Sequence, residues 1–129
     1  MSDATFEPLS ASAGSQLVAV TFVKDYLQLA LEGPQASHSH HLNVYNPSRV
    51  QAGDTSFRWG EVGYRDALCT CIDAHVSRAA SEAEQIVLEF NTGTIFAISL
   101  RKEDFDGPEA GEWAHNADGM VQQHMIWQE

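Results

Sequence analysis

The chain has 129 residues, 43% of them hydrophobic, and seven basic against eighteen acidic side chains give it a formal charge of −11. That length holds one domain with one sizeable core, and the composition is that of a folded protein rather than a disordered one. Nucleic-acid binding needs Lys and Arg to neutralise phosphates, so the charge excludes it as a direct partner, while a basic protein partner stays open through electrostatic capture. The longest strongly apolar stretch, Leu17 to Val23, is far short of a bilayer span, and the acidic start lacks the basic-then-apolar order of a signal peptide. A cytoplasmic protein with no membrane partner is therefore expected. Cys69 and Cys71 are one residue apart; a bridge between them would close a tiny loop and stabilise little, so both are expected to be reduced thiols.

Residues 1–15, rich in Ser, Ala and Gly, are expected to form a loosely packed leader to a single domain spanning 1–129. Leu17–Val23 is β-branched and aromatic, hence a strand. A turn at Lys24-Asp25 leads into Tyr26–Leu31, where Leu27, Leu29 and Leu31 alternate onto one face. Glu32–His41 reads as a polar loop opened by Gly33-Pro34, and His41–Tyr45 as a third strand closed by Asn46-Pro47. A Gly53-Asp54 turn and the short apolar piece Phe57-Arg58-Trp59 follow. The period then changes. Tyr64, Leu68, Cys71, Ile72 and His75 fall on one helical face, which predicts a helix of about three turns over 64–76. Gln85–Phe90 and Thr94–Leu100 flank Asn91-Thr92-Gly93, a strong hairpin signal. Arg101–Gly119 reads as a long acidic loop, and Met120–Trp127 as a strand or short helix. A short strand near Val76 completes a second set of three. The expected fold class is therefore α+β and mostly β: a duplicated three-stranded antiparallel meander, curled towards a partial barrel, with the helix packed on it.

Four clusters carry candidate chemistry. His38 and His40 face one way on an extended chain, and imidazole binds zinc, nickel or copper. A metal site needs a further ligand, which His115 or His124 could supply through folding; a solvated loop is the favoured reading, and no metal or cofactor is expected. On the predicted helix Cys71 faces the core and His75 lies four residues on, the spacing of a thiol and a base on one face. Glu103–Glu109 is acidic but lacks the ordered ligand positions of a calcium loop. Tyr64-Arg65-Asp66 places a scarce arginine at a helix start, where it can pair with an acid of the 103–112 loop or grip a carboxylate or phosphate. Tyr64, Arg65, Asp66 and Glu109 are the candidate binding residues. No phosphate loop, nucleophile elbow or zinc-protease pattern occurs in the sequence.

Phe22-Val23-Lys24-Asp25-Tyr26-Leu27-Gln28-Leu29, Gly63-Tyr64-Arg65-Asp66-Ala67-Leu68-Cys69, and Ile98-Ser99-Leu100 running into Gly107-Pro108-Glu109-Ala110 together resemble small bacterial proteins classed as a domain-of-unknown-function family. The resemblance spans roughly Leu17 to Ala110 and implies a bacterial, stand-alone, β-rich domain. It implies no activity. The leading expectation is a non-enzymatic binding protein with an acidic surface, in its sharpest form an immunity factor that neutralises a toxin. The alternative is a small-molecule or metal-dependent enzyme with a cavity in the curled sheet. A homodimer is expected beside either, because closed two-fold dimers are the commonest small oligomers.

Overall fold

The fold is that of a computed structural model, in which residues 8–34 and 37–128 are described. It is mostly β, as the alternating and β-branched runs require. Ten strands form two five-stranded antiparallel sheets. The first comprises β1 (Gln16–Phe22), β2 (Leu27–Glu32), β3 (His38–Val44), β9 (Glu109–Ala117) and β10 (Met120–Gln128), in that spatial order. The second is built from the middle of the chain: β4 (Ser48–Ala52), β5 (Thr55–Arg58), β6 (Val76–Ser81), β7 (Gln85–Phe90) and β8 (Ile95–Ser99), ordered β5-β4-β8-β7-β6. One helix, α1 (Tyr64–Cys69), packs beside β4 and β5, and two 3-10 turns, η1 (Pro8–Ser12) and η2 (Lys102–Asp104), complete the elements.

Buried side chains of both sheets belong to one hydrophobic cluster. Leu27, Leu29 and Leu31 of β2 are all buried, as the alternation predicts, and Leu42, Val44 and Trp113 extend their face across β3 and β9. Leu88, Phe96, Ile98 and Val50 supply the facing side from the second sheet. The Asn91-Thr92-Gly93 hairpin forms, with Gly93 at φ 92°, a left-handed conformation that suits glycine.

Five expectations need correction. The strands do not form one curled sheet or partial barrel; they form two separate sheets, neither closed into a barrel. The helix stops after Cys69. Cys71 and Ile72 donate to the carbonyls three residues back, the tighter 3-10 pattern, and Asp73 adopts φ 79° while its N–H bonds Leu17 O at 2.8 Å. The chain is thus captured by β1, through a bridge between Gln16 and His75. Ile72 and His75, assigned to the buried face, are exposed, whereas Tyr64, Leu68 and Cys71 are buried as expected.

The other three concern loops. The polar loop ends sooner than expected: β3 begins at His38, because His38–Val44 is hydrogen-bonded between β2 on one side and β9 on the other. About half of the expected acidic loop, Glu109–Ala117, is β9. There Gly111 fits against Asn43 O so closely that an added Cβ would lie 2.9 Å from it. The leader is anchored from residue 8 on, since Leu9 joins the core and Ser12 accepts a hydrogen bond from Trp113 Nε1 at 2.9 Å. Residues 1–7 of that leader lie outside the described residues.

Candidate functional site

Three places gather polar side chains. The first is the end of the first sheet's inner face. Register sets His40 of β3 directly opposite His115 of β9, one pair beyond Leu42 and Trp113. Their rings stack with centroids 4.6 Å apart and 11° between planes, and His40 also stacks on Trp113 at 5.6 Å. His38 joins through Nδ1, 3.0 Å from His115 Nε2, so one of these two nitrogens donates to the other. His40 is only 3% exposed, and its Nδ1 has no hydrogen-bond partner among the described residues. Burial, reinforced by the neighbouring imidazoles of His115, His38 and His41, lowers its pKa to about 4. His40 is accordingly neutral at physiological pH. The three rings line a recess of about 120 Å³ beneath Ala11, Gly33 and Pro34. Folding thus brings His115 to His38 and His40, while His124 bonds Glu112 at 2.7 Å on the opposite face. Among the described residues, no three His, Cys, Asp or Glu side chains are placed to hold a metal ion.

The second place is the recess at Tyr64, Arg65 and Asp66, about 490 Å³, which also takes in Lys24 and Trp59. Tyr64 is buried, and its hydroxyl is locked to Ser48 Oγ. Desolvation raises its pKa to about 12, so it stays a neutral phenol. Arg65 makes no ion pair among the described residues; its guanidinium sits over the Phe22 ring, 5.2 Å from the centroid. Asp66 is exposed. Glu109 does not line this recess: it opens β9, opposite Gln128. The four candidate binding residues are therefore not one site. Nor do Cys71 and His75 form a catalytic pair. Burial raises the Cys71 pKa, and its Sγ lies 3.9 Å from Ala67 O, while the chain turns away before His75.

The third place is a groove of about 290 Å³ assembled from three loops: Asp25 and Tyr26 before β2, Tyr45 to Pro47 after β3, and Glu103 to Asp106 around η2. Trp59 forms part of its wall. Tyr26 and Tyr45 meet edge to face at 5.5 Å. Asp25, Glu103, Asp104 and Asp106 line the groove, and no Lys or Arg does. Asn46 adds an acceptor that is short of a donor. Its Nδ2 is committed to Ser99 O at 2.9 Å, which fixes the amide, and its buried Oδ1 then has no partner among the described residues. Asn46 is 4% exposed, so bulk water does not easily reach it. The groove is thus walled by aromatic faces and offers carboxylates.

Comparison with protein-family models, with curated proteins and with solved structures finds no match for this chain. No helix is long and apolar enough to cross a membrane among the described residues.

Proposed function

We propose that this chain is a non-enzymatic binding protein whose acidic, aromatic groove receives a Lys or Arg side chain of a basic partner protein. The observation that carries the reading is the chemistry of the groove between Tyr26, Tyr45 and the 103–106 loop. Asp25 and Asp106 have no ion-pair partner among the described residues, whereas Glu103 is already paired with Arg101 and Asp104 accepts from the Ser99 hydroxyl, so the group that completes the groove brings N–H donors and a positive charge. Tyr26, Tyr45, Trp59 and Phe105 supply ring surface for the stem and face of such a cation. A net charge of −11 draws a basic partner towards the groove from a distance. The immunity factor that neutralises a basic toxin is the most specific form of this proposal. A bacterial, cytoplasmic, homodimeric protein of the family named above, built on a duplicated meander, is the setting in which we place it.

The test has two stages. Butylguanidinium and butylamine, as probes of the groove, are titrated against Trp59 fluorescence. Lysate proteins are then captured at low and moderate salt and tested on the same variants. The expected outcome is saturable binding that the combined Asp25→Asn, Glu103→Gln and Asp106→Asn variant weakens at least tenfold, with a basic protein retained only at low salt. Equal binding by the folded variant overturns the proposal.

A second reading, a small-molecule or metal-dependent enzyme, draws on the arrival of His115 beside His38 and His40. Stoichiometric zinc or nickel that survives dialysis of untagged protein would favour it. Metal-free protein would sink the metal-dependent form.

A further inference from the structure

On β4, Ser48 and Val50 point inward, so Arg49 projects from the outer face of the second sheet. The β4–β5 register sets Arg49 directly opposite Arg58, and both are exposed. Like charges opposite one another across antiparallel strands repel and destabilise the pair. An acidic protein has ample carboxylates to relieve this, and elsewhere it uses them: Arg78 bonds both Glu89, at 2.7 Å, and Glu82, at 3.0 Å. Arg101 is likewise paired with Glu103. Neither Arg49 nor Arg58 has an ion-pair partner among the described residues.

The two guanidinium groups border a groove of about 450 Å³ that has Ala97, Arg49's neighbour on β8, in its lining and Trp59 beside Arg58. Two carboxylates also line it. Asp104 is held by the Ser99 hydroxyl at 2.5 Å, which leaves Glu84 against two unneutralised arginines. Of the seven basic side chains, Arg49 and Arg58 are two that face each other across a ladder with no ion pair among the described residues.

We propose that Arg49 and Arg58 form an oxyanion-binding site that takes a carboxylate or phosphate group in the groove against Trp59. Two planar forks side by side match the paired oxygens of such a group, and the ligand supplies the negative charge that the fold withholds. The site adjoins the carboxylate-lined groove, with Pro47, Trp59 and Asp104 lining both, but Arg49 and Arg58 line only this one, and it stands whether or not a basic partner binds in the other.

The test is a titration with inorganic phosphate, and in parallel with acetate, against sodium chloride at matched ionic strength. Its readout is the NMR signals of the arginine Nε–H groups. Saturable shifts of Arg49 and Arg58, with Arg78 unmoved, are expected. Arg49→Gln and Arg58→Gln should each weaken the affinity at least tenfold, and Arg49→Lys, which keeps the charge and loses the fork, should weaken it as well. A response to phosphate alone assigns the site to a phosphorylated ligand; a response to both extends it to acidic side chains and chain ends. Shifts no larger at Arg49 and Arg58 than at Arg78, or full affinity in both glutamine variants, overturn the proposal.

Discussion

Histidines 38, 40 and 115 and arginines 49 and 58 are both cases of cationic residue types set face to face across neighbouring strands, with opposite electrostatic outcomes. At the inner end of the first sheet, burial holds His40 neutral, so its ring can stack on His115 and Trp113 like any aromatic. On the outer face of the second sheet the two guanidinium groups are exposed, and solvent makes their like charges tolerable. The interior removes charge by shifting a pKa. The surface keeps it, and leaves its neutralisation to a neighbour or a ligand.

The largest effect should come from the buried side. Trp113→Ala removes the ring under His40 together with the hydrogen bond to Ser12, and should cost about 3–5 kcal/mol in denaturant unfolding. A cost below about 1 kcal/mol would mean that the imidazole end of the sheet is not part of the core.

Acid should act on the same place. The His40 pKa is lowered on folding, so the unfolded chain binds the extra proton between the two values. Stability is then lost as pH falls from about 6.5 towards about 4, by roughly 3 kcal/mol in all. Comparing the slope of unfolding free energy against pH in the wild type and in His40→Gln isolates this contribution. An unchanged slope between pH 6.5 and 5 would show that His40 protonates without penalty.

The arginines give the smallest and most discriminating comparison. Arg58→Gln relieves a like-charge pair and should raise stability by about 0.2–1 kcal/mol in a chloride buffer free of phosphate and carboxylates. Arg78→Gln breaks two surface ion pairs and should lower it by about 0.3–1 kcal/mol. Shifts of the same sign would erase the distinction between a neutralised and an unneutralised arginine.

What the sequence disclosed follows from how local each signal is. The Leu27, Leu29, Leu31 alternation and the Asn91-Thr92-Gly93 turn need only a few adjacent residues, and both appear where periodicity and turn chemistry put them. Tyr64, Leu68 and Cys71 lie on the buried side of their segment, but the helix length was overestimated, because the strand that captures Asp73 lies more than fifty residues earlier. β9 carries Ala, Gly, Glu and Asn where strands favour branched and aromatic residues. Only its alternation of Gly111, Trp113 and His115 hinted at a face. His38 and His40 face one way, as an extended chain sets them, but the expected solvated loop is a strand in which His40 is buried, because β9 brings His115 and Trp113 against it. Arg65 drew attention on account of its scarcity, yet it rests on Phe22. Arg49 and Arg58 become neighbours only once the β4–β5 register exists, and Asn46 becomes an orphan acceptor only when Ser99 occupies its amide nitrogen. Both properties belong to pairs of distant residues, which a linear reading does not weigh.

The order of strands along the chain bears on how the protein is made. All five strands of the second sheet lie between Ser48 and Ser99, so that sheet can assemble from one continuous stretch of chain. The first sheet has β1 to β3 at one end of the sequence and β9 and β10 at the other. Until its last two strands emerge, β3 presents an open edge, Leu42 lacks Trp113 across the ladder, and His40 lacks the ring it stacks on. The chain therefore carries an unpaired strand beside an apolar surface until β9 and β10 are in place, and in that interval it is most exposed to mispairing.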